Sequence, residues 1–160
     1  MTQLPSATYR LQLNGQFTFA QAEAILKYLA SLHVSHIYLS PYLQAAAGSL
    51  HGYDVADHLH VNIELGGEAA RRQFCATLKK NHLGQIIDIV PNHMAAKSPD
   101  NVAWTNVLKY GLQSPYAKYF DIFWQKTPKI FVPVLEADFE QVIKAGKIKL
   151  QVINEKFVLQ

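Results

Sequence analysis

The sequence contains one cysteine, Cys75, so the chain cannot form an internal disulfide. It has no run of about 18 apolar residues, the length that a membrane-spanning helix needs, and its N-terminus lacks the charged-then-apolar order of a secretory signal. Basic residues are scattered rather than clustered, and they do not alternate with aromatics as in a nucleic-acid groove. We therefore expect no membrane partner, no nucleic-acid partner and a cytoplasmic, reducing location.

Common phosphate and metal motifs are also missing. Neither GxxxxGK nor GxGxxG occurs, and there is no His-Glu-x-x-His pattern. His58 and His60 would share one face of an extended segment, where Asp54 or Asp57 could join them as zinc ligands. The alternative is that both imidazoles are exposed or hydrogen-bonded in a loop. The lack of further ligands favours this alternative, and we predict no metal site.

The hydrophobic pattern predicts an α/β fold. The 160 residues are 49% hydrophobic, which is enough for one sizeable core. The alternating or apolar runs and the helical spacings predict strand, helix, strand, helix, strand, which short right-handed connections turn into a parallel sheet. In order, these elements are 7–13, 18 to about 33, 36 onwards, 68–80 and 84–90.

The pattern differs in two other regions. Residues 44–67 are rich in Gly, Asp and His and predict a long, ordered, functional loop. Beyond Pro91 we predict a short helix, an aromatic turn, a strand, a second short helix and a final hairpin. These cover, in order, 101–112, 114–124, 129–135, 138–146 and 148–160, with the hairpin turning near Asn154 and Glu155.

Polar residues follow the third predicted strand. On a two-residue period, Asp88 shares a face with Asn92, while Ile87 and Ile89 point the other way, towards packed helices. Ligands bind beyond the carboxyl ends of parallel strands, so Asp88 and the adjacent His93 are candidate site residues. The alternative is that Asp88 only caps the following turn and His93 is a loop residue in water.

The stretch HGYD, after the second strand, favours a site. His51, Tyr53 and Asp54 would reach the same edge of the sheet as Asp88. A flat tyrosine ring with several hydrogen-bonding groups suits a polyhydroxylated ligand such as a sugar. Arg10, on the first strand, could pair with Asp88 or be structural, and the pattern does not separate the two.

Aromatic residues downstream offer a second possibility for sugar stacking. More often such residues pack in a core or between domains, and we favour packing here. The residues are Trp104, Tyr110, Tyr116, Tyr119 and Trp124.

HGYD at 51–54 and DIVPNH at 88–93 together resemble the α-amylase family of glycoside hydrolases. The segments TYRLQL, YLSPYLQ, ELGG, SPYAKYFDI and KIFVPVL, in that order, extend the resemblance over essentially the whole chain, to a trehalose-forming branch of the family. The resemblance implies a (β/α)8 barrel of the TIM type. Residues 1–100 would form its first three βα units, and residues 101–160 would begin an α+β subdomain inserted after the third strand.

The resemblance also implies an activity. The reducing-end α-1,4 linkage of a maltooligosaccharide would be converted into an α,α-1,1 linkage by intramolecular transfer, with no external cofactor. Tyr53 would stack on the sugar beside the scissile bond, and His51 and His93 would hydrogen-bond to it. Asp88 would support the pocket, Asp54 would contact substrate, and Asn92 would organise the loop, where some relatives bind calcium.

The catalytic carboxylates of the family follow the fourth, fifth and seventh strands, so the resemblance assigns no catalytic residue to this chain. We expect an N-terminal fragment that is inactive alone and that forms homodimers or swaps elements through unpaired barrel edges. One alternative is a stand-alone carbohydrate-binding or regulatory module. Another is a small, unrelated doubly wound protein in which both motifs are coincidental.

Overall fold

The computed structural model describes residues 4–96, 99–125, 130, 132, 135, 137–153 and 156–159. The chain divides into two compact units, Met1–Asp121 and Ile122–Gln160. The first unit contains the predicted parallel sheet and both sequence motifs. The predicted domain boundary near residue 100 stays a prediction.

The first unit is an α/β fold around a three-stranded parallel sheet with the strand order β1-β2-β5. Its strands are β1 (Thr8–Leu11), β2 (His36–Leu39), β3 (Leu43–Ala45), β4 (Val55–Val61) and β5 (Gly84–Ile87). Its α-helices are α1 (Phe19–Ala24), α2 (Leu26–Ser31), α3 (Gly67–Lys80) and α4 (Val102–Tyr110). The predicted order of strands and helices is therefore confirmed for β1, β2, α3 and β5.

One side of the sheet carries the core. Ile37 and Leu39 of β2 are fully buried, and they pack with apolar residues of α1, α2 and α3. The ring of Phe19 lies 5.6 Å from that of Phe74 and 5.5 Å from that of Tyr42, which joins α1 to α3 and to the end of β2. On the opposite side His36 is buried and Tyr38 is half-buried, so β2 is largely buried on both faces.

The helices begin and end mostly where the sequence predicts. Thr18 and Gln21 form a capping box at the start of α1, in which Gln21 Oε1 accepts a hydrogen bond from the Thr18 backbone at 2.8 Å. The single predicted helix is interrupted at Ile25, which joins α1 to α2. Helix α3 ends at Lys80, as the predicted range 68–80 has it, and the side chain of its C-cap, Asn81, donates to the carbonyl of Thr77 at 2.8 Å.

The predicted loop over 44–67 contains regular structure. Strands β3 and β4 form an antiparallel pair in which Ala45 lies opposite Val55, and a short 3-10 helix covers Ile63–Leu65. The sequence VADHLHV of β4 has no hydrophobic pattern that predicts a strand, because only its first two residues are buried. The hairpin holds the HGYD segment in its turn.

The outer side of β5 differs from the prediction. Ile87 lies opposite the buried Leu39, yet it is 40% exposed, and Ile89 is 65% exposed. The two isoleucines therefore do not pack under helices in the described part of the chain. Val90, two residues after Asp88, is buried.

Helix α4 lies within the predicted 101–112, and its N-cap is Asn101, whose side chain accepts a hydrogen bond from Trp104 N at 2.9 Å. It continues into a 3-10 turn, Gly111–Gln113. No helix within the described ranges is long and apolar enough to cross a membrane.

The second unit contains α5 (Phe139–Lys144) and an antiparallel hairpin of β6 (Leu150–Ile153) and β7 (Lys156–Leu159). Both elements were predicted. The turn at Asn154 and Glu155 and most of the predicted strand over 129–135 lie outside the described residues.

Glu68, in the first turn of α3, forms ion pairs with Arg71 and Arg72. These pairs predict that the free energy of unfolding falls at acidic pH. Glu68 accepts hydrogen bonds from Arg71, at 2.7 Å, and from Arg72, at 2.8 Å, and these lower the pKa of Glu68 to about 2. A lowered pKa in the folded state stabilises the fold above pH 4.5, and this contribution is lost as the pH falls towards 2. Both partners are partly exposed, so the effect is small and salt-sensitive.

We expect Glu68→Gln to reduce the pH dependence of the free energy of unfolding between pH 4.5 and pH 2. Urea denaturation at several pH values measures this slope. Glu140→Gln, which removes a carboxylate from the other unit, should leave the contribution of Glu68 intact. An unchanged slope in Glu68→Gln would contradict the assignment.

Candidate functional site

The HGYD segment lies against the end of β2 because of a glycine. Gly52 has φ +77°, and a Cβ atom there would lie 2.4 Å from the carbonyl oxygen of Pro41. Its backbone N–H donates to Ser49 Oγ at 3.1 Å. Only glycine allows this close approach without a backbone shift, and the approach places Tyr53 beside the residues that follow β5.

Three predicted site residues meet at the carboxyl ends of β2 and β5. The phenol of Tyr53 donates a hydrogen bond to Asp88 Oδ2. His93 Nε2 lies 3.0 Å from the backbone oxygen of Tyr53, and because a carbonyl only accepts, this nitrogen carries the hydrogen. The structure thus brings together Tyr53, Asp88 and His93, which we call the Tyr53 cluster.

His51 lies beside this cluster. Its Nδ1 accepts the backbone N–H of Tyr53 at 3.1 Å, and the two rings are stacked with centroids 6.2 Å apart. Asp54 Oδ1 lies 3.7 Å from the same nitrogen. That distance is too long for a hydrogen bond, and Nδ1 is already an acceptor, so we do not count this pair as an ion pair.

Asp54 and Asn92 contact the cluster differently. Asp54 accepts a hydrogen bond from Ser49 Oγ and lines a separate cavity of about 670 Å³, walled mostly by alanines. Asp54 is therefore a predicted site residue that lies outside the Tyr53 cluster. Asn92 Oδ1 lies 3.1 Å from His93 Nδ1, and the role of Asn92 in organising this loop stays a prediction.

Arg10 does not pair with Asp88 among the described ion pairs. Its guanidinium donates to Gln12 Oε1 at 2.8 Å and lies over the ring of Tyr38, 5.9 Å from the centroid. Gln12 in turn donates to the carbonyl of His51 at 3.2 Å. Arg10 thus reaches the HGYD backbone through one intermediate side chain, as a structural residue.

Sequence reasoning missed Tyr38 and Gln12. Tyr38 lies directly opposite Arg10 in the parallel register, and its phenol donates to Asp88 Oδ2 at 3.1 Å. The hydrogen bond to Asp88 raises the pKa of Tyr38, so its phenol stays protonated and remains a donor. A signal for both residues was available. Gln12 is two residues after Arg10 and so shares its face of the chain, and Tyr38 is opposite Arg10 in the register of the parallel strands.

The histidines considered for zinc have other partners. His58 Nε2 lies 2.9 Å from the carbonyl oxygen of Val90, and His60 Nδ1 lies 2.7 Å from Asp57 Oδ2. In the described parts of the chain, no three His, Cys, Asp or Glu residues are grouped to hold a metal ion. His58 and His60 are therefore hydrogen-bonded within the fold, which is the alternative to zinc binding.

The parallel sheet, with polar side chains from two loops at its carboxyl edge, is typical of an α/β domain that binds a ligand beyond its strand ends. The alpha-amylase catalytic domain matches residues 23–142, and the chain belongs to this family.

Within the family, the chain is similar to maltooligosyl trehalose synthases. It is 45% identical over 139 residues to a Mycobacterium tuberculosis protein named "Putative maltooligosyl trehalose synthase". A crystal structure of a maltooligosyl trehalose synthase matches 98% of this chain at 46% identity, with a TM-score of 0.86. The maltooligosyltrehalose synthase of Arthrobacter ramosus matches 96% of it at 36% identity, with a TM-score of 0.84.

The chain is much shorter than these proteins. It spans 18% of the Mycobacterium tuberculosis protein, 22% of the first crystal structure and 20% of the Arthrobacter ramosus structure.

Three glycines test the geometry of the HGYD loop. Gly52→Ala places an alanine at a left-handed φ and makes its Cβ clash with Pro41. Gly48→Ala places an alanine at a left-handed φ of +73° without a clash, and Gly15→Ala does neither. We expect Gly48→Ala to lower the free energy of unfolding by about 1–2 kcal/mol, and Gly52→Ala to lower it by clearly more. Gly15→Ala should change it by about 0.5 kcal/mol or less. Equal losses for Gly48→Ala and Gly52→Ala in urea denaturation would contradict the contact with Pro41.

The shared acceptor predicts a change in the titration of Tyr38. Asp88→Asn removes the negative charge and weakens the hydrogen bond that raises the pKa of this phenol, so we expect that pKa to fall. The ¹³C shift of Tyr38 Cζ, followed against pH, measures it. Asp54→Asn is the matched control, because Asp54 does not contact Tyr38 in the described bonds. An unchanged pKa in Asp88→Asn would rule out the shared carboxylate.

Proposed function

We propose that this chain supplies part of the sugar pocket of a maltooligosyl trehalose synthase. The substrate is a maltooligosaccharide, and the reaction converts its reducing-end α-1,4 linkage into an α,α-1,1 linkage by intramolecular transfer. The observation that carries the proposal is the hydrogen bond from Tyr53 to Asp88, which joins the HGYD and DIVPNH motifs at one edge of the sheet. The similarity to maltooligosyl trehalose synthases over most of the chain supports it.

In the proposed pocket, Tyr53 presents its ring to an apolar face of the sugar. Asp88 Oδ2 accepts from Tyr53 and Tyr38, and in the described contacts Asp88 Oδ1 has no hydrogen bond, so this oxygen suits a sugar hydroxyl. His51 and His93 border the same edge and contribute hydrogen bonds to hydroxyl groups. Asp54, which lies outside the Tyr53 cluster, is a further proposed contact.

We further propose that β1, β2 and β5 are the first three strands of a (β/α)8 barrel. Their parallel order with helices between them supports this assignment, as does the exposure of Ile87 at an edge strand. On this proposal residues 1–100 belong to the barrel and residues 101–160 to an insertion after its third strand.

The proposed retaining chemistry needs a nucleophilic carboxylate and an acid/base carboxylate about 5 Å apart. We propose that later barrel strands contribute both, so that the 160-residue chain is inactive alone. The open edges of β1 and β5 are then available for self-association, as a homodimer or by exchange of elements.

Titration with maltopentaose tests the role of Tyr53. We expect weak binding, on the order of millimolar or weaker, because much of the pocket is missing. Tyr53→Ala should weaken it by about tenfold. Tyr28→Ala, which removes a 63% exposed tyrosine of α2, is the matched control and should not weaken it. Isothermal calorimetry and NMR shifts of His93 measure the binding.

Two outcomes would contradict the proposal. Micromolar binding by the 160-residue chain would favour a stand-alone carbohydrate-binding module. Formation of an α,α-1,1-linked product by this chain alone would show that it carries its own catalytic groups.

A further inference from the structure

The downstream aromatic residues separate into two groups in the structure. Trp104 is buried, and its ring lies 5.0 Å from that of Phe120, so it packs as expected. Tyr116 and Tyr119 instead contact each other edge to face, with ring centroids 5.3 Å apart, and both line a cavity. Tyr119 is 69% exposed, so its ring is accessible from solvent.

The cavity has a volume of about 250 Å³. Strand β4, Met94, the first turn of α4 and the turn that follows α4 form its walls. Pockets for drug-sized ligands typically measure about 300–1,000 Å³. The cavity therefore suits a smaller ligand, such as one sugar ring.

The lining chemistry disfavours an anion. Asp57 and Asp100 contribute carboxylates, and no lysine or arginine lines the cavity in the described part of the chain. Asp57 already accepts bonds from His60 and from the backbone of Leu59, both at 2.7 Å. Asp100 accepts a bond from the backbone of Ala47 at 3.0 Å. Carboxylate oxygens are hydrogen-bond acceptors and suit neutral hydroxyl donors.

His58 adds an acceptor. Its Nε2 donates to the carbonyl of Val90, so in a neutral imidazole Nδ1 is left as an acceptor. Together with the tyrosine rings, the walls offer aromatic surface and hydrogen-bond acceptors without cationic groups. This combination matches a pyranose ring, which has apolar faces and hydroxyl edges.

The cavity borders the segment that also forms the Tyr53 cluster. Met94 lines the cavity, whereas the adjacent His93 contacts Tyr53. His58, which lines the cavity, also donates a hydrogen bond to the carbonyl of Val90, two residues after Asp88. One short segment, residues 88–94, therefore contributes to both places.

We propose that this cavity is a second carbohydrate site, which binds one glucosyl residue of a neutral saccharide between Tyr116, Tyr119 and His58. The cavity geometry carries the site, while the choice of a glucan as ligand rests on the proposed function. Affinity for a single residue is on the order of millimolar or weaker.

The test is an NMR titration of the 160-residue chain with maltotriose, read at two sets of signals. The methyl groups of Met94 and Ala103 report the cavity, and the imidazole of His93 reports the Tyr53 cluster. Tyr119→Ala should weaken binding at the cavity signals by about fivefold to tenfold and leave the His93 response unchanged. Ala103→Leu, which fills the cavity, should abolish the Met94 response, and Tyr28→Ala should alter neither response.

The outcomes separate this proposal from the proposed function. A His93 response without a cavity response would overturn the second site and leave the proposed function standing. A cavity response without a His93 response would support the second site and count against the role of the Tyr53 cluster. Absence of both responses at high millimolar maltotriose would overturn both. Cavity shifts that persist equally in Tyr119→Ala and Ala103→Leu would place the sugar elsewhere.

Discussion

The hydrogen bond from Tyr53 to Asp88 connects two segments that are 35 residues apart in the sequence. It forms only because β2 and β5 are parallel neighbours and because Gly52 lets the HGYD turn approach Pro41. The Tyr53 cluster therefore depends on the sheet register and on one backbone conformation. The hairpin of β3 and β4 also helps to position the Tyr53 cluster, because the HGYD turn connects its two strands.

Asp88 also explains how a carboxylate can follow an apolar strand. An unpaired carboxylate in apolar surroundings is costly, but Asp88 is only partly buried and accepts from two phenols. Phenols suit this role, because a neutral donor stabilises the carboxylate without neutralising it. The raised pKa of Tyr38 keeps that donor protonated over the whole neutral range. A cation in the same place would remove the negative charge available to a ligand, and Arg10 is instead held on Gln12.

Hydrophobic periodicity predicted the elements whose position is determined by packing in the core. Helix α1, strand β2 and helix α3 follow hydrophobic patterns that the packing of Phe19, Ile37 and Phe74 satisfies. The hairpin of β3 and β4 escaped prediction because its polar, histidine-rich strand buries few residues, and pairing with a neighbour rather than side-chain pattern defines it. Tyr38 escaped for a related reason: an apolar run does not reveal that one tyrosine within it turns its hydroxyl to a partner 50 residues away.

The incompletely buried side of the sheet and the exposed Ile87 and Ile89 share one explanation. Further strands and helices of a barrel would cover both. Arg10, Tyr38 and Ile86 share a side of the sheet through the strand register, and in a closed barrel that side is filled by residues of the other strands. Ile87 lies on the opposite side, where a following helix normally covers it, and both sides are incompletely buried around β5. An isolated three-stranded α/β protein would instead need helices over both faces of its sheet. The distribution of exposed residues around β5 therefore supports a part of a larger barrel better than a complete small fold, independently of the two sequence motifs.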